Sequence, residues 1–158
     1  IGRLVPAYDG VKWTWTEEVF AQKTSKVYPA EAFAPSEYIE NPKRVAFMAM
    51  RCGQCAGIIR ADTRWNGNVQ IEDFAVDQNH RRRGVGGMLM DALVRWGRSG
   101  GKNGVFLETQ DNNLIACRFY LQYGFQLRGA DTKVYMGSPY AKETALYFYL
   151  DFSVDGSG

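Results

Sequence analysis

Alternating apolar and polar positions dominate the middle of the chain, and the rhythm changes once. Strand-like runs occupy residues 44–51, 56–65 and 69–76, the last reading "VQIEDFAV". The Asn-Gly pair in "WNGN" at 65–68 is a strong hairpin signal, so Val45–Val76 reads as an antiparallel meander. From Met88 the period shifts to that of a helix. Met88, Leu89, Ala92, Leu93 and Trp96 form one stripe, with Asp91, Arg95 and Arg98 opposite. "GRSGGKNG" closes this helix and 105–110 returns to a strand. Asp111, Asn112 and Asn113 offer N-caps for "LIACRFYLQY", which ends at Gly124, a good left-handed C-terminal residue. "FQLRGA", "DTKVYMG" and "TALYFYLDF" supply the last strand candidates. Residues 11–22 read as a strand passing into a helix. Residues 23–43, with Pro29, Pro35 and Pro42, read as a loop-rich region with short helical pieces. The order predicts an α/β domain with a mixed, mostly antiparallel sheet and flanking helices.

Length and composition narrow this only a little. The 158 residues suit one domain, expected over 1–152, with "DGSG" in a flexible tail at 153–158. Nineteen basic against 17 acidic side chains give no global reason to expect a nucleic-acid partner. No apolar run reaches the ~18 residues of a membrane span, and no signal peptide opens the chain. Three cysteines do not suggest a disulfide framework and favour a reducing, cytoplasmic setting. "CGQC" at 52–55 invites a zinc or redox reading, but a second ligand pair is missing and His80 is the only histidine. Its place between two strands makes a hairpin turn through Gly53 the simpler reading, and no metal is expected.

Candidate chemistry concentrates in "HRRRGVGG". Arg81, Arg82 and Arg83 meet Gly84, Gly86 and Gly87 between a predicted strand and a predicted helix. A helix N-terminus presents unpaired N–H groups and partial positive charge, and glycines let an anion approach the backbone. The run therefore suits a pyrophosphate. GxxxxGK[ST] is absent and GxGxxG is unmet, so neither a P-loop nor a Rossmann turn explains it. A solvated basic turn is the plainer alternative.

"AVDQNHRRRGVGGMLM" resembles the acetyl-CoA signature [QR]xxGx[GA] of the GNAT N-acetyltransferase superfamily, with Arg81, Gly84 and Gly86 in its fixed positions. Downstream, "LETQDNNLIACRFYLQYGF" resembles the strand, Asn-led helix and Tyr-x-x-x-Gly-Phe of the same superfamily. The resemblance spans roughly residues 44–150. With "GAD" and "ETALYFYL", the C-terminal half is similar to one branch of it, the streptothricin acetyltransferases, which inactivate a cationic antibiotic by acetylating an amine. The resemblance implies the GNAT fold, acetyl-CoA as co-substrate and a cationic small-molecule amine as acceptor. It also implies direct transfer in a ternary complex. Neither nucleic acid nor membrane is expected as a partner, and a homodimer is permitted. An acetyltransferase for another polyamine, aminoglycoside or peptide amine, or a non-catalytic acyl-CoA sensor, stays open.

That chemistry assigns roles. An alkyl amine with a pKa of about 10.4 is only ~0.1% neutral near pH 7, so a positioned base should help. Glu72 and Glu108 are the candidates, each sharing a strand face with a phenylalanine, Phe74 or Phe106, while Asp73 should face away from Glu72. The alternative is that these carboxylates bind the substrate cation without moving its proton. Tyr120 is implied as the acid that protonates departing coenzyme A, against the plainer reading of a core aromatic. Asn113 is implied at the cofactor's amide arm, or as a simple helix cap. Backbone groups of Phe74, Ala75 and Val76, freed by a splayed strand, are implied for that arm, and those of Arg82, Arg83, Gly84, Val85, Gly86 and Gly87 for the phosphates, with the arginine side chains auxiliary. Tyr28, Glu37 and Tyr38, in an acidic and aromatic stretch that includes Glu31 and Phe33, are candidates for the acceptor. Trp13 and Trp15 would join them in a cation pocket. Cys117 has no suitably spaced histidine and reads as a buried helix cysteine.

Overall fold

A computed structural model describes residues 1–22 and 34–153. These fall into two compact units: 1–22 with 107–150, and 34–106 with 151–153. No helix among the described residues is long and apolar enough to cross a membrane.

The unit containing 34–106 is the predicted meander followed by a helix. After an N-terminal pair in the other unit, β1 (Gly2–Tyr8) and β2 (Trp13–Val19), strands β3 (Arg44–Arg51), β4 (Gln54–Thr63) and β5 (Asn68–Val76) are antiparallel neighbours. Helix α1 spans Val85–Ser99, and β6 (Gly104–Gln110) then returns parallel to β5. The order is β3-β4-β5-β6. Cys52 and Gly53 both take positive φ, 49° and 75°, as a tight hairpin turn requires. "CGQC" is thus the β3–β4 turn, with Cys52 and Cys55 as exposed free thiols.

Helix α1 buries Val85, Leu89, Met90, Leu93 and Gly97, and Met88 is exposed. The stripe expected from Met88 is therefore rotated. The helix begins three residues earlier, and the i, i+4 row Val85–Leu89–Leu93–Gly97 faces inward. Gly57 in β4 permits close packing there. A Cβ at this position would lie 2.9 Å from the Ala75 carbonyl oxygen, 3.0 Å from Leu89 and 3.2 Å from Val85.

The other unit opens with a hairpin that the hydrophobic pattern did not predict. Strand β1 (Gly2–Tyr8) pairs antiparallel with β2 (Trp13–Val19). The strand expected at the start of 11–22 is formed over residues 13–19, and the helix expected after it is not, because β1 satisfies the backbone of 13–19 in register from Gly2–Val19 to Tyr8–Trp13. Helix α2 covers Leu114–Tyr123, as its caps dictate: Asn113 accepts from the Ala116 N–H, and Gly124 has φ 121°. The remaining strands are β7 (Gln126–Asp131) and β8 (Ala145–Asp151), ordered β6-β8-β7. "DTKVYMG" is not a strand beyond Asp131. Asp131 Oδ1 accepts from the N–H groups of Lys133 and Val134 at 2.8 and 3.0 Å, which turns the chain away from extension.

Candidate active site

The basic run sits where the sequence places it, on the turn from β5 into α1. His80 Nδ1 lies 2.8 Å from Asp77 Oδ2, and Arg81 Nε donates to the Val76 carbonyl at 3.4 Å. Arg82 and Gly84 adopt left-handed backbone, with φ 62° and 78°. No side chain caps α1, and its first backbone bond runs from the Met88 N–H to the Gly84 carbonyl. The N–H groups of Val85, Gly86 and Gly87 therefore lack a helical acceptor. A Cβ at Gly84 or Gly87 would meet nothing within 4 Å, so a ligand can reach this backbone. Exposed Arg81, Arg82 and Arg83 flank it. The arrangement fits a pyrophosphate.

The adjacent strand carries the residues expected at the amide arm. Strands β5 and β6 pair at Asn68–Gly104, Val69–Val105 and Gln70–Phe106. From Ile71 to Val76, β5 is laddered to β4. Phe74, Ala75 and Val76 lie on that stretch.

A polar cluster lies on the same strand. The β4–β5 register shifts between Arg60–Asp73 and Ala61–Ile71, which leaves Glu72 as the extra residue of a β-bulge. Glu72 is exposed and accepts from the Tyr38 hydroxyl at 2.6 Å. Arg60, 7% exposed, donates from Nη1 to the same hydroxyl at 3.1 Å. Its Nε and Nη2 reach Asp73 Oδ2 at 3.3 and 3.4 Å. Asp73 thus does not face away from Glu72. The bulge breaks the alternation, and both carboxylates join one network through Arg60 and Tyr38. Burial, followed by the bond to Glu72, raises the Tyr38 pKa, opposed by Arg60. Arg44 lies over the Tyr38 ring at 5.7 Å and pairs with Asp62 and Glu37, each at 3.1 Å. Glu37 is therefore held by an arginine, while Tyr38 reaches Glu72. Tyr28, Glu31 and Phe33 lie outside the described residues.

In the other unit, Tyr120 is buried against Phe119, Phe125 and Phe148, with ring centroids 5.7–5.8 Å away. Burial raises its pKa above the ordinary phenol range. Glu108 is the one exposed position of β6, whose other residues are buried or half-buried. Desolvation and then the charge of Asp131 push its pKa up, partly offset by a hydrogen bond with Tyr135. Asn113 is exposed and caps α2 through Oδ1. Cys117 is buried and its thiol is pushed up to about 12, chiefly by desolvation. Trp13 and Trp15 line a groove of about 480 Å³ together with Tyr8, Phe125, Lys12 and Arg128. Its charged lining is basic, so this groove does not provide the expected carboxylate-lined cation pocket.

Arg60 is the main functional candidate missed in the sequence. The available signal was a lone arginine inside the apolar run "AGIIRA", which must find an anion if buried. Asp131 and Tyr135 beside Glu108 gave no local signal, because the strand–turn geometry brings them there.

The model of the Acetyltransferase (GNAT) family matches residues 9–125. Streptothricin acetyltransferase A of Bacillus subtilis strain 168 is 36% identical over 151 residues, covering 96% of this chain and 87% of that protein. A streptothricin acetyltransferase from Escherichia coli is 31% identical over 135 residues, 85% of this chain and 78% of its own. Among solved structures, a Bacillus anthracis protein designated a streptothricin acetyltransferase, in complex with acetyl coenzyme A, superposes with TM-score 0.88 at 34% identity. That match covers 96% of this chain and 86% of the other.

Proposed function

The chain belongs to the GNAT family of acetyltransferases, and on that premise we propose that it acetylates an amine of streptothricin and so inactivates this antibiotic. It is an acetyl-CoA-dependent N-acetyltransferase. The observation that carries the substrate class is the charge around Glu72: Arg44 and Arg60 face Glu37, Asp62, Glu72 and Asp73, leaving an excess of carboxylate for a cationic amine. The extent of the match to streptothricin acetyltransferases supports the specific acceptor.

Acetyl-CoA supplies an acetyl group activated as a thioester. In this reading, the Val85, Gly86 and Gly87 N–H groups bind the pyrophosphate, aided by Arg82, Arg83 and Gly84 of the loop and by the charge of Arg81. Backbone groups of Phe74–Val76 meet the amide arm, and the side-chain amide of Asn113 is a further donor because its Oδ1 is committed to the cap. Glu72 binds the ammonium group and takes its proton at Oε1 or through water, so that the amine attacks as a neutral nucleophile. Glu108 is the second candidate base, with the raised pKa suited to that task. Tyr120, kept protonated by burial, gives its phenolic proton to the departing thiolate. Transfer is direct, in a ternary complex, without an acyl-cysteine.

The test is thiol release from acetyl-CoA with streptothricin, spermidine, aminoglycosides and lysine-bearing peptides. Preferred turnover of streptothricin supports the proposal, and preference for another amine replaces the substrate. Coenzyme A binding without turnover of any amine favours a sensor.

A further inference from the structure

We propose that Arg60 is a positioning residue for amine recognition, acting through Tyr38 on Glu72; this rests on the function proposed above. The geometry begins with the bulge, which presents two consecutive carboxylates to one network. Uncorrected, they would compete for the same cation, and like charges so close oppose each other. Arg60 separates their roles. Its Nε and Nη2 both engage Asp73 Oδ2, at 3.3 and 3.4 Å, and offset that charge. Its Nη1 donates to the Tyr38 oxygen at 3.1 Å. A phenol has one proton, and with the arginine donating to its oxygen, that proton is directed to Glu72 Oε2 at 2.6 Å.

Glu72 is thus oriented by a neutral hydroxyl rather than cancelled by a direct arginine pair. It is exposed and retains an anionic carboxylate for an ammonium group. Arg60 is itself 7% exposed and sits on β4, an interior strand paired on both sides, so the order it imposes is built into the sheet. Arg44 lies 5.7 Å from the Tyr38 ring centroid and pairs with Glu37 and Asp62, which keeps those carboxylates from drawing Tyr38 or the substrate aside.

The experiment is a double-mutant cycle with Arg60→Met and Tyr38→Phe, with Arg60→Lys as the conservative variant. KM for the amine, KM for acetyl-CoA and kcat are measured on the amine that the wild-type enzyme turns over best in the panel above. Each single variant should raise the amine KM about tenfold, the scale of one charge-assisted hydrogen bond. KM for acetyl-CoA should stay unchanged. The double variant should lose less than the product of the two single losses, the remainder reflecting the Asp73 charge that Arg60 offsets, and Arg60→Lys should recover part of the loss. Additive losses, or equal increases in both KM values, overturn the proposal. If Arg60→Met does not fold, Tyr38→Phe against Arg60→Lys decides the same coupling. Turnover of a different amine with coupling intact removes streptothricin but keeps the positioning role. Turnover of streptothricin with additive losses does the reverse, and absence of turnover with every amine overturns both.

Discussion

Tyr38 and Glu72, 34 positions apart in the chain, meet in a 2.6 Å hydrogen bond from phenol to carboxylate. The bond puts an oriented anion on the bulged strand that leads into the basic loop. Glu72→Gln keeps the shape and removes the charge. If Glu72 is the base, kcat/KM for the amine should fall by roughly 10²-fold or more at pH 7. The deficit should shrink as pH approaches about 10, where an alkyl amine deprotonates unaided. Thiol-release kinetics across pH and calorimetry with coenzyme A check this, with cofactor affinity expected to be unchanged.

Tyr120→Phe should lower kcat by roughly 10²-fold while leaving coenzyme A binding intact, because only the proton of the phenol is lost from the reaction. The raised pKa of Tyr120 keeps it protonated through the neutral and mildly alkaline range, so its ionisation should not limit activity there. Unchanged kcat in the variant would make Tyr120 a core aromatic only.

Glu108 makes a pH-dependent contribution to stability. Its folded-state pKa is raised, so the native protein holds the proton more tightly than the unfolded chain. That contribution is fully present below the unfolded value and is lost as pH rises through the folded value. Glu108→Gln should therefore raise Tm at pH 7–8 relative to wild type, with the gain fading near pH 4. Its solvent exposure keeps the effect modest. Thermal melts across pH read it directly, and a gain independent of pH would contradict the assignment.

Gly57 controls the seating of α1. Gly57→Val should clash with the Ala75 carbonyl and push Leu89 and Val85, and with them α1, away from β4, costing about 1–3 kcal/mol of stability by overpacking. Because the Val85 N–H belongs to the phosphate loop, coenzyme A affinity should fall several-fold as well. Denaturant titration and calorimetry on the same protein separate the two effects.

Cys52 carries φ 49° in the β3–β4 turn, a conformation that asparagine tolerates better. Cys52→Asn should gain up to about 1 kcal/mol, seen as a higher denaturation midpoint. Alkylation of exposed Cys52 and Cys55 should leave turnover intact, since neither has a role in transfer.

What the chain declares by itself is local. The bounds of β3 and α2, and the turns at Gly53 and Gly67, follow from alternation, caps and positive-φ glycines, which act within a few residues. The basic loop was legible for the same reason: its glycines, arginines and helix start are contiguous. The tertiary structure decided what depends on register and on partners far along the chain. The strand expected at the start of 11–22 runs on to Val19 in place of a helix because β1 lies beside it. The face of α1 was set by where the helix begins and by the space that Gly57 leaves. Above all, one residue of slip between β4 and β5 brought Asp73 and Glu72 into one network and supplied both with Arg60 and Tyr38. Side-chain alternation has a period of two, so a single extra residue reverses its prediction, and only pairing with the neighbouring strand determines where that residue is placed.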